Sequence, residues 1–149
     1  MIRLPVCSMN RTLDEWIARY NKKIPEGFKR DEKFTLFYIP DKGFCEMTAT
    51  DKMIVIGQAS GDGVFWRDFA EKIARKLGLK TGGFFCRRER VLLWARLLGF
   101  TVTEADEENG LKRYRGTDKN GRWAVMTECV LDNGCHAYLT TWGIKADED

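Results

Sequence analysis

The run Gln-Ala-Ser-Gly-Asp-Gly at residues 58–63 has the composition of a ligand-binding turn. It follows the apolar residues 53–57 and precedes an amphipathic stretch that begins at Val64. A turn between a strand and a helix directs several backbone N–H groups toward one point, and the helix adds its own unpaired amides and the positive end of its dipole. This arrangement favours a phosphate or diphosphate. Gly61 and Gly63 would let the backbone approach that anion without a Cβ in the way.

Spacing alone leaves a second interpretation open for this run. Two glycines within six residues also mark ordinary strand-to-helix turns that bind nothing. The carboxylate of Asp62 would repel an anion unless it points to solvent. The elements on either side of the run therefore have to be considered with it.

Hydrophobic periodicity and turn residues predict the order α, β-β-β, α, β, α, β-β-β-β. The first helix is expected at Leu13–Lys23, where Thr12 and Glu15 can form a capping box. The later elements are expected as strands over residues 34–39, 44–50 and 53–57, a helix over 64–77, a strand over 81–86, a helix over 89–98, and strands over 100–104, 111–116, 122–131 and 135–142. Asn120 and Gly121 are expected to form a primed hairpin turn.

This order predicts a single α/β (α+β) domain over residues 1–149. The central strand, helix, strand crossover implies a parallel pair, and the hairpins on both sides make the rest of the sheet antiparallel. The class is therefore a mixed, mostly antiparallel sheet with helices packed on both faces. Its length of 149 residues fits one domain of ordinary size.

Composition argues against several classes of function. The net charge of +3 is too small to indicate nucleic-acid binding by itself. A zinc site built from Cys129, Cys135 and His136 would lack a fourth ligand at a usual spacing, so no metal is expected. Free thiols fit a reducing compartment, and the first seven residues have neither the apolar core nor the cleavage site of a signal peptide. A cytoplasmic protein without membrane contact is expected.

With its flanking elements, the run at residues 58–63 resembles the pattern Gln/Arg-x-x-Gly-x-Gly/Ala of the GNAT N-acetyltransferase superfamily. The preceding apolar strand and the following helix match, and so does the later helix that closes in Gly99-Phe100. About 50 residues share motif and order with the family core. The resemblance implies a GNAT-like fold, acetyl-coenzyme A as cofactor and an amine as acceptor. The residues it implies for cofactor binding are Gln58, Ser60, Gly61, Asp62, Gly63, Val64 and Arg88.

The catalytic groups that the resemblance implies are incomplete in this chain. Many family members have a tyrosine four residues before the Gly-Phe pair as general acid, and Ala95 occupies that position. Residues 53–57 contain no acid, so Glu46 on the preceding strand is the candidate general base. Candidates for the missing general acid are Tyr114, Tyr138 and Cys86.

Two other functions stay open at this point. A non-catalytic protein on the same scaffold, of phage or mobile-element origin, could bind a host or virion protein; Ala95 and Asp62 favour it. A nucleic-acid-binding module would instead use the arginines near residues 87–96, although the modest net charge argues against that partner. If the protein is phage-encoded, it would act in the host cytoplasm.

Overall fold

The computed structural model describes residues 10–87, 91–130, 134 and 136–144. Three helices and eight strands occupy this part of the chain. The helices are α1 (Leu13–Lys23), α2 (Gly63–Lys76) and α3 (Val91–Leu97). The strands are β1 (Thr35–Ile39), β2 (Gly43–Ala49), β3 (Ile54–Gly61), β4 (Thr81–Arg87), β5 (Thr101–Glu108), β6 (Leu111–Thr117), β7 (Trp123–Val130) and β8 (His136–Gly143).

The strands form one sheet in the order β1-β2-β3-β4-β8-β7-β6-β5. Only β3 and β4 run parallel among these strands, and every other neighbouring pair is antiparallel. The last strand, β8, inserts beside β4, so the four strands that follow α3 fold back as a meander onto the parallel pair. The predicted mixed, mostly antiparallel sheet is confirmed.

Helix α1 packs on one face of the sheet. Thr12 and Glu15 form the predicted capping box, with backbone-to-side-chain bonds of 3.0 and 3.1 Å. Tyr20 packs against the buried Phe44 of β2, with ring centroids 5.7 Å apart. Trp16, which is 3% exposed, donates its indole N–H to the carbonyl of Pro40 and ties the helix to the β1–β2 turn.

Helices α2 and α3 pack on the opposite face over two adjoining apolar clusters. Cys45 and Met47 of β2 lie with Trp66 and Ala70 of α2 in the first cluster. The second cluster gathers residues around α3 and the C-terminal strands: Ala95, Phe100, Ala124, Met126, Tyr138 and Trp142. Ile56 contacts both clusters, so the core is continuous beneath the two helices.

The segment expected to be a loop at residues 58–63 is largely strand, which corrects the sequence prediction. β3 continues to Gly61, which pairs with Gly43 of β2. Both glycines have a positive φ, 105° and 109°, and a Cβ on Gly61 would lie 2.0 Å from the carbonyl oxygen of Lys42. Glycine at both positions lets the two strands approach closely, and this extends the pairing.

Two hairpin turns also differ from the prediction. Asn109 and Gly110 both have a positive φ, 55° and 79°, so they form the two-residue primed turn, and β5 extends to Glu108 rather than to residue 104. At the β6–β7 turn only Gly121 has a positive φ, and Asn120 does not. That turn is a three-residue loop with glycine last, because a primed turn would need a positive φ at both positions.

In the part of the chain that the structure describes, no helix has the length and apolarity needed to cross a membrane.

Candidate cofactor site

The two parallel strands separate from each other near the middle of the sheet. They pair through Ile54 with Gly82, Val55 with Gly83 and Ile56 with Phe84. Past these pairs β3 continues along β2 as far as Gly61, and β4 continues along β8. A crevice therefore opens between the carboxyl ends of two neighbouring parallel strands, which is where ligands usually bind in α/β sheets.

A β-bulge marks the start of this crevice. The register of β2 and β3 shifts by one residue between the Cys45–Ala59 and Met47–Ile56 pairs. Gly57 and Gln58 of β3 thus lie opposite Glu46 alone. Bulges bend a strand and redirect its side chains, so the extra residue turns the end of β3 away from β4.

Backbone amides of β3 point into the crevice. In an antiparallel pair, alternate residues direct their N–H and C=O groups toward the partner strand and away from it. The amide of Asp62 donates to the carbonyl of Lys42 at 2.9 Å, so Asp62 faces β2. Ser60 shares that orientation, whereas the amides of Ala59 and Gly61 point to the side on which β4 has separated.

The start of α2 continues this row of donors. Gly63 and Val64 are the first two helical residues, whose N–H groups have no carbonyl partner within the helix. The amide of Phe65 donates to Oδ1 of Asp62 at 3.0 Å, and the amide of Trp66 donates to the backbone carbonyl of Asp62. The amides placed to bind an anion are those of Ala59, Gly61, Gly63 and Val64.

The carboxylate of Asp62 lies at the N-terminus of α2. Besides capping Phe65, it lies 3.7 Å from Nζ of Lys42, whose ammonium is also 5.3 Å from the centroid of the Phe65 ring. The negative charge lies where the helix dipole would otherwise attract an anion, and Lys42 partly offsets it. Lys42 was not predicted from the sequence, because only the pairing of the β1–β2 turn with the end of β3 brings it here.

Gln58 and Glu46, predicted as a cofactor ligand and a general base, contact each other. The amide nitrogen of Gln58 donates to Oε1 of Glu46 at 2.9 Å and also to the carbonyl of Lys29, and its oxygen accepts from the Lys29 amide at 2.9 Å. Glu46 is 1% exposed, and its other oxygen accepts from Arg30 and from the amide of Asp31. Both side chains are therefore engaged by the segment between α1 and β1.

The two tyrosine candidates differ in their distance from the crevice: Tyr138 is on β8 and pairs with Cys86 of β4, one strand from the crevice. Tyr114 is on β6, four strands from β3 and therefore about 19 Å away at the usual strand spacing. Its ring packs on Tyr138, which is 2% exposed within the cluster under α3. A catalytic role for Tyr114 stays a prediction that this placement does not support. Arg88 lies outside the described residues, and so does the side chain of Cys86.

Ala95 faces the core beneath α3. It is 5% exposed and lines a cavity of about 10 Å³ together with Phe84, Leu98, Phe100, Ala124, Met126, Thr140 and Trp142. The hydroxyl of Thr140 is buried there without a hydrogen-bond partner. A water needs a space of about this size and two to four polar partners, so with one polar group the cavity favours neither water nor a polar ligand.

The residues considered for zinc do not form a metal site in the described part of the chain. His136 pairs instead with Glu128, at 3.2 Å between Nδ1 and Oε2. No group of three potential ligands occurs among the described residues, and Cys135 lies outside them.

No protein-family model and no curated protein matches this chain. Among solved structures it is similar to Ard1 from Thermoplasma volcanium, at 13% identity over 87% of this chain and 78% of that one, with a TM-score of 0.41. It is also similar to the ribosomal-protein-S18-alanine N-acetyltransferase from Escherichia coli, at 11% identity over 94% of both chains, with a TM-score of 0.43. Among the described residues, the order of elements and the one parallel strand pair agree with the mixed, mostly antiparallel sheet predicted from the sequence.

Proposed function

We propose that this protein is a GNAT-like N-acetyltransferase that binds acetyl-coenzyme A and acetylates an amine. The observation that carries the proposal is the crevice between β3 and β4, where the amides of Ala59 and Gly61 point away from β2 and those of Gly63 and Val64 follow at the N-terminus of α2. A diphosphate can accept several hydrogen bonds from such a row of donors.

The cofactor, when bound, would supply an activated acyl thioester; the acyl group would pass to the amine nitrogen, and the proton that the amine loses would pass to the released thiolate. The amides would hold the diphosphate, and Lys42 would add a positive charge beside it. Ser60 would support the site indirectly, because its backbone pairs with β2 and so holds the end of β3 in place. Positioning of the two reactants can account for a large part of the rate of such a transfer.

The test removes one proposed donor without disturbing the helix. Gly63→Pro deletes the N–H of the first helical residue, where proline is favoured and the N–H has no partner in the helix. The preceding Asp62 has φ −83° and ψ 96°, an extended conformation compatible with a following proline. Gly63→Ala keeps the N–H and is the matched control.

We expect wild type and Gly63→Ala to bind acetyl-coenzyme A in calorimetric titration. Gly63→Pro should bind about tenfold more weakly, because one hydrogen bond to a charged group is lost. Thermal unfolding of all three proteins checks that the fold is kept. If wild type gives no heat and no thermal shift at millimolar cofactor, the proposed function is rejected. Equal affinity of the proline and alanine variants would reject the donor assignment.

A second candidate function is a non-catalytic protein on the same scaffold, and the position of Asp62 favours it. A carboxylate that caps α2 already occupies the anion-attracting end of the helix. Such a protein would bind another protein and leave the crevice without a cofactor. Mass spectrometry of the purified protein separates the candidates, because only the transferase should retain coenzyme A.

A further inference from the structure

The segment at residues 28–34 is bound tightly to the sheet although it has no regular secondary structure. Phe28 donates its amide to Oδ1 of Asn21 at 2.7 Å and packs its ring on Phe44, with centroids 5.0 Å apart. At the other end, the ring of Phe34 covers Gly57 so closely that a Cβ there would lie 3.1 Å from it. The segment therefore lies over β2 and over the bulge of β3.

Between these two ends, Glu46 and Gln58 hold the backbone of the segment. Gln58 makes a two-way contact with Lys29, accepting from its amide and donating to its carbonyl. Glu46 accepts from the Arg30 guanidinium at 2.8 Å and from the Asp31 amide at 3.0 Å. We refer to Glu46, Gln58 and Arg30 as the clamp.

The clamp uses nearly all the hydrogen-bonding capacity of the Glu46 and Gln58 side chains. Both amide hydrogens of Gln58 are donated within the protein, so its side chain has none to offer a cofactor. Glu46 is 1% exposed and accepts three hydrogen bonds, from Arg30, Asp31 and Gln58. A carboxylate held in this way stabilises its donors and is poorly placed to take a proton from a substrate.

The position of the segment beside the crevice links the clamp to the proposed function. Gln58 lies two residues beyond Ile56, the last residue of β3 that pairs with β4. Two of the four proposed diphosphate donors, Gly63 and Val64, are at the start of α2, the helix that carries Trp66 and Ala70, whereas the segment lies on the α1 face with Phe44. A cofactor that enters from the α2 face leaves the α1 face for the second reactant.

We propose that Gln58 and Glu46 are positioning residues that hold residues 28–34 as the fixed acceptor-side wall of the crevice. Gln58 thus acts on the acceptor side and does not contact the cofactor. The inference rests on the proposed function, since it assigns the amine to the face that the cofactor leaves open.

The test breaks the clamp from each side. Gln58→Met removes the hydrogen bonds of the β3 member at similar side-chain size, and Arg30→Met removes the ion pair from the segment. Lys33→Met is the matched control, because it removes an exposed positive charge from the same segment outside the clamp. Amide hydrogen exchange at Lys29 and Asp31, calorimetric titration with acetyl-coenzyme A, and steady-state kinetics are measured for each protein. The acceptor probe is a random hexapeptide mixture with free α-amino groups, and released thiol is detected.

We expect amide exchange at Lys29 and Asp31 to become about tenfold faster in both clamp variants and to stay unchanged in Lys33→Met. Each clamp variant removes either the hydrogen-bond acceptor of the amide or a side chain that holds this acceptor in place. Affinity for acetyl-coenzyme A should stay within about twofold, and KM for the peptides should rise about tenfold with little change in kcat. A purely structural role of Gln58 would not separate KM from kcat in this way.

Two results overturn the inference and are distinguishable. If Gln58→Met loses cofactor affinity while exchange at Lys29 is unchanged, Gln58 is a cofactor ligand and the clamp assignment is rejected. If wild type binds no acetyl-coenzyme A, the proposed function is rejected and the acceptor wall with it, whatever the exchange rates are.

Discussion

The carboxylate of Asp62 has two opposite effects at the N-terminus of α2. It stabilises the helix by accepting from the amide of Phe65, and it places a negative charge beside amides proposed to bind a diphosphate. The conflict of charge is visible in the sequence. The cap is not, because capping depends on where the strand ends and the helix begins.

Substitution of Asp62 separates these two effects. Asp62→Asn retains a capping side chain and removes the charge, so we expect acetyl-coenzyme A to bind about three- to tenfold more tightly at low salt. Asp62→Ala should lower the free energy of unfolding by about 1 kcal/mol through loss of the cap. Titration calorimetry and urea denaturation measure the two quantities. Weaker binding by Asp62→Asn would contradict the proposed repulsion.

Cys45 is expected to be chemically inert in the folded protein. It is fully buried, and burial together with the nearby charge of Glu46 raises the pKa of its thiol far above the usual value. Thiolate is the reactive form, so native protein should not be modified at Cys45 by iodoacetamide at neutral pH, whereas denatured protein should be. Peptide mapping by mass spectrometry checks this outcome, and rapid labelling of native Cys45 would contradict it.

At the scale of elements, the β5–β6 hairpin shows where local propensity is overridden. Asp106, Glu107 and Glu108 have low strand propensity, yet β5 includes them and extends four residues past its predicted end at Glu104. In the fold, Arg113 lies opposite Asp106 and makes two hydrogen bonds to it, at 3.0 and 2.8 Å. Cross-strand pairs of opposite charge stabilise a sheet, but they become visible only when the register is known.

The β6–β7 turn depends on a single carboxylate. Asp118 accepts from the backbone amides of Asn120 and Arg122 and from the Arg122 guanidinium, at 2.8 to 2.9 Å. Burial by itself raises the pKa of Asp118, but these hydrogen bonds outweigh burial and hold the pKa below its ordinary value of 3.8. The ionised form is therefore stabilised by folding.

This depressed pKa predicts an acid-sensitive part of the stability. The stabilisation is complete above the pKa of the unfolded chain and is lost as pH falls through the lower pKa of the folded state, from about pH 5 downward. Asp118→Asn removes this titration, so its unfolding free energy should depend less steeply on pH below about 5 than that of wild type. Thermal unfolding from pH 7 to 3 provides the measurement, and parallel curves would refute the assignment.

At the scale of the whole molecule, a buried ionic network connects α2 to the C-terminal strands. Glu71 of α2 accepts two hydrogen bonds from Arg122 and one from the indole of Trp142, each at 2.9 Å. Glu71 is 1% exposed, and Arg122 also binds Asp118. The network fixes α2, whose N-terminus carries proposed cofactor donors, to strands that are distant in sequence.

Breaking one side of this network should be costly. Glu71→Leu leaves Nε and Nη2 of Arg122 and the indole of Trp142 without their acceptor, while Nη1 of Arg122 keeps Asp118, and we expect a loss of about 3 kcal/mol in the free energy of unfolding. The double variant Glu71→Leu, Arg122→Leu should lose less than the sum of the single variants, because it leaves fewer unpaired buried groups. Denaturant unfolding of wild type, the two single variants and the double variant gives the free energies of this double-mutant cycle. The exposed pair of Asp106 and Arg113 is the surface control, and additive effects at Glu71 and Arg122 would contradict the network.

The sequence by itself determined those features that depend on residues close along the chain. The capping box of Thr12 and Glu15 and the limits of α1 are of this kind, and so is the end of α2, where Leu79 donates to the carbonyl of Ala74 and Gly78 has a positive φ. Apolar periodicity gave the order of strands and helices, because each element must bury one face. The fold class followed from that order.

Only the tertiary structure decided what the functional residues contact. Gln58 and Glu46 are twelve positions apart and hold a third segment rather than facing a ligand. Tyr114 lies four strands from β3 because the last strand inserts beside β4. Contacts of this kind depend on register and strand order, which are set by packing between distant segments and leave no local signal in the sequence.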